Sequence, residues 1–374
     1  MSIEIREVKT RQELKKFIRF PHSIYKGNAY WVPGLDFDEM NTLSRNKNPA
    51  FEVCEARYWL AYKDGKIAGR IAGILNHAYI EKWKNRYIRF GWIDFIDDEE
   101  VSKALLQAVE NWAKEIGMTA VHGPLGFTDL DYEGMLVEGF DKLGTMATIY
   151  NHPYYPVHLE KLGYRKDVDW VEYESSVPTE IPARIEEIAA NVREKLNLRT
   201  LKVKKAKELL PYAPRIFEVV DASYSGLYGT VPLTKKQVEA YTKQYFGFIR
   251  PDFVSVVVDG NDRVIGFGIT MPSLSKALQK SRGKLFPFGF IHLLRALKKN
   301  DMADMYLIGI LPEYQGKGVN ALILCEIGKT FIQNGIVHVE TNPELEQNLK
   351  VQAQWKFFDT RQHKRRRVFI KQIA

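Results

Sequence analysis

Two cysteines in 374 residues, Cys54 and Cys325, are too few and too far apart in sequence to build a disulfide framework or a metal cluster. No uninterrupted apolar run approaches the ~18 residues of a membrane-spanning helix. The amino terminus, MSIEIREVKT, is polar, opens a strand-like alternation and does not read as a signal peptide. No RNP, zinc-finger or other nucleic-acid motif occurs. The excess of one charge is small: 54 basic and 46 acidic residues leave +8. That balance favours anionic partners such as phosphates without demanding nucleic acid. Apolar residues at 45% and charged residues at 27% are ordinary for a globular chain and give no sign of disorder. These absences lead us to expect a soluble protein of the reducing cytoplasm, with no transmembrane segment, no metal and no nucleic-acid partner.

The length suits two domains of roughly 150 residues each. Ile3 to Val8 alternates as a half-buried strand does, and a helix follows from about Arg11 to Phe20. The runs Tyr58–Tyr62 and Ile67–Ala72 flank an Asp-Gly turn and predict a hairpin. A strand-like run, Arg89 to Ile96, leads through Asp97-Asp98-Glu99-Glu100 into a helix. That helix has Val101, Leu105, Val109, Trp112 and Ile116 on one face, and Asp97 with Glu100 resembles a capping box. A Pro-containing boundary, Val177 to Pro182, comes next. Beyond it the order recurs: a helix from about Ala183, a strand Leu201–Val203, a helix Pro211–Ala222, and a hairpin of Phe253–Asp259 with Val264–Met271. A strand Met305–Leu311 then meets a Gly loop, a helix with Val319, Leu322, Ile323, Ile327 and Phe331 on one face, and a strand Ile336–Glu340. The recurrence predicts an α+β chain of two similar domains, 1–178 and 179–374, each a mixed, mostly antiparallel sheet flanked by helices.

The most informative stretch runs from Tyr306 to Ile323. A strand turns at Pro312, passes through Gln315-Gly316-Lys317-Gly318 and goes directly into a helix. The N–H groups of such a loop and of the first helical turn have no intrahelical partner. With the helix dipole they suit anionic oxygens, glycine lets the backbone approach a pyrophosphate, and Lys317 adds a cation. A P-loop is excluded, because Gly318 follows Lys317 and no glycine stands five residues before Gly316. A Rossmann fingerprint fits Gly316, Gly318 and Ala321, with Glu340 ending a later strand. However, only 34 residues follow Glu340, and the Pro-containing connection is too long for that tight turn.

The run resembles the signature of the GNAT acyltransferase superfamily, Q/R-x-x-G-x-G/A after a strand ending in x-x-P. Gln315, Gly316, Lys317, Gly318 and Val319 match, while Asn320 replaces the final small residue. The hairpin before it, the helix after it and the strand to Glu340 follow the family's order, over most of residues 200–374. Leu159-Glu-Lys-Leu-Gly-Tyr164 resembles the family's late tract Y-E-K-L-G-F, which implies a second, divergent copy in the first half. There, Asp97 to Glu100 stand where a phosphate loop belongs and repel a pyrophosphate. Coenzyme A binding is therefore expected in the second half alone.

The resemblance implies acetyl-CoA or another acyl-CoA as cosubstrate, held by Ile308, Ile310, Leu311, Gln315, Gly316, Lys317, Gly318, Val319, Asn320 and Asn348. Ile308 to Leu311 bond the pantetheine arm and supply the oxyanion donor. Glu340 and Glu313 are the candidate bases. The family's general acid, a Tyr seven residues after an Asn, is missing: Trp355 follows Asn348, and Leu159 takes the matching place in the first half. The implied activity is N-acyl transfer to a small-molecule or peptide amine, and a homodimer is compatible with it. Two alternatives stand: a non-catalytic GNAT-like protein, and a tandem-domain transferase using aminoacyl-tRNA.

Two further segments read two ways. Lys276 to Lys299, with Leu285-Phe-Pro-Phe-Gly-Phe-Ile291 and a basic helix, is a packed insertion or else a lid, a groove for an apolar acceptor or a lipid-touching surface. His363 to Arg367, before a short strand Val368–Ile370, is a solvated edge or a site for the ribose 3′-phosphate of coenzyme A.

Overall fold

The computed structural model describes residues 3–373. The chain forms two compact units. The first takes residues up to Val171, the stretch Ser275–His292 and the stretch from His363; the second takes Glu172–Leu274 and Leu293–Gln362. In chain order the first unit begins with β1 (Ile3–Glu7), α1 (Arg11–Arg19), α2 (Pro21–Ile24) and α3 (Asp36–Thr42). It continues with β2 (Cys54–Lys63), β3 (Lys66–Asn76), α4 (His77–Trp83), β4 (Tyr87–Phe95), α5 (Glu99–Glu115), β5 (Ala120–Gly123), β6 (Met135–Glu138) and α6 (Tyr154–Lys161). The strand β7 (Arg165–Ser176) ends in the second unit, which adds α7 (Ala183–Lys195), β8 (Arg199–Thr200), α8 (Ala213–Tyr224), α9 (Lys235–Phe246), β9 (Val254–Val258) and β10 (Val264–Pro272). After α10 (Ser275–Ser281) and α11 (Gly289–Lys298) come β11 (Met302–Ile310), α12 (Val319–Gln333), β12 (His338–Thr341), β13 (Glu344–Leu345), α13 (Leu349–Gln352) and β14 (Thr360–Gln372). This is the α+β architecture read from the sequence.

The turn between β2 and β3 explains its own hairpin. Asp64 and Gly65 both adopt positive φ, +50° and +75°, which brings Lys63 opposite Lys66. A capping box does occur, on α1, where Thr10 and Glu13 exchange side-chain and backbone bonds. At α5 the expected box is absent, and the cap is Asp98 rather than Asp97, its carboxylate accepting from the Glu100 amide. The apolar stripe of α5 is buried with Ile88, Phe90 and Phe369 in one core cluster.

Both units follow one plan. In the first, β1, β2, β3 and β4 are antiparallel neighbours, β5 joins β4 in parallel, and β14 joins β5 antiparallel. In the second, β8, β9, β10 and β11 are antiparallel, β12 joins β11 in parallel, and β7 joins β12 antiparallel.

The strand β14 is far longer than Val368–Ile370, and this changes the meaning of its cations. Along a strand, side chains alternate between faces. Lys364 and Arg366 are therefore buried, donating to the carbonyls of Leu143 (2.7 Å) and Ile149. Arg365 and Arg367 fall on the other face, where both bond Asp169. The run is neither a solvated edge nor a free phosphate site.

Arg70 and Asp94 form a buried pair, Nε to Oδ2 2.8 Å, and the Tyr25 hydroxyl donates to the other carboxylate oxygen at 2.7 Å. Removing one partner leaves the other charge buried and uncompensated. Asp94→Ala should lose about 3–5 kcal/mol of stability, read by chemical denaturation.

Candidate active site

The site begins with one extra residue in a ladder. Ile269 faces Leu307 and Thr270 faces Met305, so Tyr306 bulges out of β11. On its other edge β11 is held by β12 only from Met302 to Met305, opposite His338 to Thr341. A last bond, Asn342 amide to Met305 carbonyl, is 2.9 Å. From Tyr306 onward β11 leaves its parallel neighbour. The Leu311 amide bonds the Ile265 carbonyl at 2.9 Å. Because backbone groups alternate in direction along an antiparallel strand, those of Ile308 and Ile310 point into the opening. Two side chains reach them: the Tyr224 hydroxyl donates to the Ile308 carbonyl (2.9 Å), and Gln315 Nε2 donates to the Ile310 carbonyl (3.1 Å).

The opening leads to the glycine loop. Pro312–Tyr314 makes a single 3₁₀ turn, Gln315 is extended, and Gly318, at φ +84°, is the N-cap of α12 with no side-chain cap. Gln315, Gly316 and Lys317 are exposed. Among the described residues, the amides of Gly316, Gly318, Val319 and Asn320 meet no acceptor. The two glycines serve different ends. At Gly316 a Cβ would meet nothing within 4 Å, whereas at Gly318 it would stand 2.9 Å from Val192 and 3.1 Å from Ile188 of α7. Gly318 is thus required by helix packing, and Gly316 is the position that bares the backbone. Lys317 Nζ lies 5.4 Å from the centre of the Tyr314 ring. Asn348 caps α13, its side chain accepting from the Val351 amide.

The carboxylates differ sharply in surroundings. Glu313 is exposed and paired with Arg263 at 2.8 Å; its own backbone amide, with Arg263, holds it below the usual carboxylate range. Glu340 is buried on β12, in register with Asp304 on one side and Glu174 on the other. Beside it the Tyr306 hydroxyl donates to Asp304 at 3.3 Å, and burial, then the Asp304 charge, suppresses its ionisation.

Sequence reasoning missed Glu344. Trp355 Nε1 donates to its Oε1 at 2.9 Å, while Oε2 is buried with no hydrogen-bond partner. Burial pushes the carboxyl up to about 8 against the opposing Trp355 bond. Burial likewise pushes the Tyr224 hydroxyl up to about 12, and the Glu344 charge acts on it in the same direction. Tyr224 thus stands beside Ile308, and Glu344 is near enough for its charge to act on that hydroxyl. The one available signal was Trp355 itself, whose indole N–H requires an acceptor when buried.

The first unit repeats the device and then closes it. Trp92, at φ +44°, sits in the register shift of β4, and β4 pairs with β5 only to Arg89. There the chain returns, and the Leu125 amide bonds the Phe90 carbonyl at 2.8 Å. Asp97 bonds His158 (3.0 Å), Asp98 bonds Lys63 and Glu99 bonds Lys161, so three of the acids at the start of α5 already have side-chain partners. A cavity of about 80 Å³ remains, lined in part by Tyr25, Trp31, Arg70, Trp92, Asp94 and Tyr155.

No family model matches the sequence. The chain is 29% identical over 377 residues to Protein YghO of Escherichia coli strain K12, covering 99% of this chain and 95% of that one. It is 28% identical over 315 residues to the bacterial ceramide synthase of Caulobacter vibrioides, covering 82% and 80%. Among solved structures it resembles a tandem GNAT protein from the clavulanic acid biosynthesis pathway: TM-score 0.59, 10% identity, 100% of this chain and 99% of that one. A GCN5-related glucosamine N-acetyltransferase region of a fungal GH3 β-N-acetylglucosaminidase gives TM-score 0.58 at 12% identity, over 99% of this chain and 38% of that one. Two β-meanders, each followed by a parallel step, a bulge and a helix, agree with those likenesses: the chain is a tandem GNAT-fold protein with a divergent first copy.

Proposed function

We propose that the second unit binds an acyl-coenzyme A and transfers its acyl group to an amine. The observation that carries this reading is the open edge of β11 from Tyr306 to Ile310, which ends at the uncapped start of α12. The amides of Gly316, Gly318, Val319 and Asn320, with Lys317, suit the diphosphate. The Ile308 and Ile310 backbone suits the amides of a pantetheine arm, which would displace the bonds from Tyr224 and Gln315. A thioester carbonyl lying along this edge places its developing negative charge at an amide near Leu311.

In this reading Glu344 is the base, in place of Glu340 or Glu313. It accepts the proton of the attacking amine while the nitrogen–carbonyl bond forms and the carbon–sulfur bond breaks. The thiolate leaves without needing an acid of its own, which fits a Trp at the position of the family's Tyr. A ceramide is the amide of a long-chain amino alcohol. The likeness to a ceramide synthase thus supports an acceptor of that class and a long-chain acyl donor. The missing Tyr favours a second reading, in which the chain binds the ligand without turning it over: Trp355 stands in its place, and its indole N–H is spent on Glu344.

Calorimetry with acetyl-CoA and with palmitoyl-CoA tests the binding. Wild-type protein should bind at least one of them, and Gly316→Asp or Lys317→Glu should weaken that binding about tenfold or more, about 1.4 kcal/mol. Asp tolerates the left-handed backbone, so the first variant should stay folded. Failure of wild type to bind either thioester rejects the reading.

Turnover separates the two readings. Glu344→Gln should lower kcat about 10²-fold or more with little change in KM, and should flatten the limb of the pH profile that rises through about 8. Binding without any turnover against long-chain amino alcohols favours the second reading.

The same residue leaves a mark on stability. In the folded chain Glu344 keeps its proton up to about 8, while in the unfolded chain it titrates near its ordinary 4.5. Between those values the unfolded state holds fewer protons, so stability falls as pH rises through that window. Glu344→Gln removes this penalty. Its Tm should pull ahead of wild type from about pH 5 to pH 8 and keep a constant lead above that.

A further inference from the structure

Between Ser275 and His292 the first unit carries four cations, Lys276, Lys280, Arg282 and Lys284, and no acidic residue. All four are exposed, and none forms an ion pair among the described residues. In the same segment Phe286 is 77% exposed, Phe288 69% and Phe290 39%. Phe37, adjacent to an Asp36 amide that bonds the Gly283 carbonyl at 2.8 Å, is 63% exposed.

The exposure is built in. At the base of the loop Ala277 and Leu278 are buried, and Gln279 donates to the carbonyls of Ala29 (2.9 Å) and Trp31 (3.0 Å). The loop closes on itself through bonds from the Phe290 amide to Leu285 (2.8 Å) and from the Ile291 amide to Phe288 (3.1 Å). At Gly289 a Cβ would stand 1.7 Å from the Lys284 carbonyl oxygen, so only glycine permits this return. The rings of Phe286 and Phe290 are 6.0 Å apart. A backbone anchored and closed in this way holds the rings out into solvent.

We propose that this loop seats the protein on the surface of an anionic lipid bilayer. The Phe rings enter the interface, and the four cations meet lipid headgroups. Exposed aromatic rings beside charge mark an interaction site, and four unpaired cations in one short segment match the negative potential of an anionic leaflet. Rings that project from a backbone anchored in this way enter a fluid phase without needing a complementary pocket, which favours a bilayer over a folded partner. No helix among the described residues is long and apolar enough to cross a membrane; exposed rings and cations of this kind attach a protein at the interface.

Cosedimentation of the full chain with vesicles tests this. One set is phosphatidylcholine alone; the other is equal parts phosphatidylcholine and phosphatidylglycerol. Wild-type protein should pellet with the anionic vesicles, far less with the neutral ones, and less as salt is raised. Phe286→Ser with Phe288→Ser should weaken that binding about a hundredfold, about tenfold for each ring. Lys280→Glu with Lys284→Glu should erase the preference for anionic lipid. All four positions are exposed, and an unchanged Tm confirms folding. Wild-type protein that stays in the supernatant overturns the proposal, as does a double Phe variant that pellets equally well. Light scattering adds a third arm: if wild type ignores vesicles and the Phe variant turns a dimer into a monomer, the rings are a contact between copies and the proposal falls. Acyl-CoA binding by the Phe variant, measured without lipid, should match wild type, so failure here leaves the reading of the second unit intact.

Discussion

One surplus residue, Tyr306, governs the second unit. Its insertion between Met305 and Leu307 bends β11 away from β12 immediately after their last shared bond. Without that bend, the backbone of Ile308 and Ile310 would be spent on an ordinary ladder, and the strand would have no edge to offer. With it, a short length of extended chain faces an opening and delivers whatever lies along it to the start of α12. The glycines, the lysine and the buried carboxyl acquire meaning only from that geometry. The first unit shows the same backbone event without the same result. Trp92 breaks the register of β4, but the chain returns through Leu125, and Lys63, His158 and Lys161 bond Asp98, Asp97 and Glu99 at the head of α5. A shared scaffold is thus opened in one copy and filled in the other.

The second unit also accepts one unfavourable arrangement. Glu344 has one oxygen bonded to Trp355 and the other buried without a partner. An ordinary core would hold an apolar side chain there. A carboxyl that retains its proton near neutrality is poorly suited to holding a fold together and well suited to exchanging protons with an amine. Trp355 holds one oxygen of the carboxyl and leaves the other without a hydrogen-bond partner.

Local chemistry made much of this legible in advance. Asp64-Gly65 announced the first hairpin because both residues tolerate positive φ, and the apolar stripes of α5 and α12 announced buried faces because helical spacing aligns them. The strand–loop–helix around Gly316 was readable for the same reason. What escaped were features fixed by partners distant in sequence. No residue type marks Tyr306 as a bulge; the register of β10 against β11 decides it. Lys364 and Arg366 look solvated until β14 is seen to bury one of its faces. The strand expected at Leu201–Val203 closes its ladder earlier, at Arg199–Thr200, because the pairing with Val257 and Val258 sets its limits. Glu344 follows Pro343 in a stretch with no periodicity, and nothing in that stretch announces the bond from Trp355 or the burial of the carboxyl.

The pairing of β14 with β5 bears on how the molecule comes into being. Phe369 lies fully buried in the same core as Phe90 and Leu105, although more than two hundred residues separate it from either. A ribosome has therefore long finished the first unit's helices and most of its sheet before it makes the strand that seals them. Until then the edge of β5 and the apolar face beneath it stay available to any other extended chain. Nascent and prematurely ended chains should thus be the vulnerable species, drawing chaperones or proteases in a way the finished protein does not.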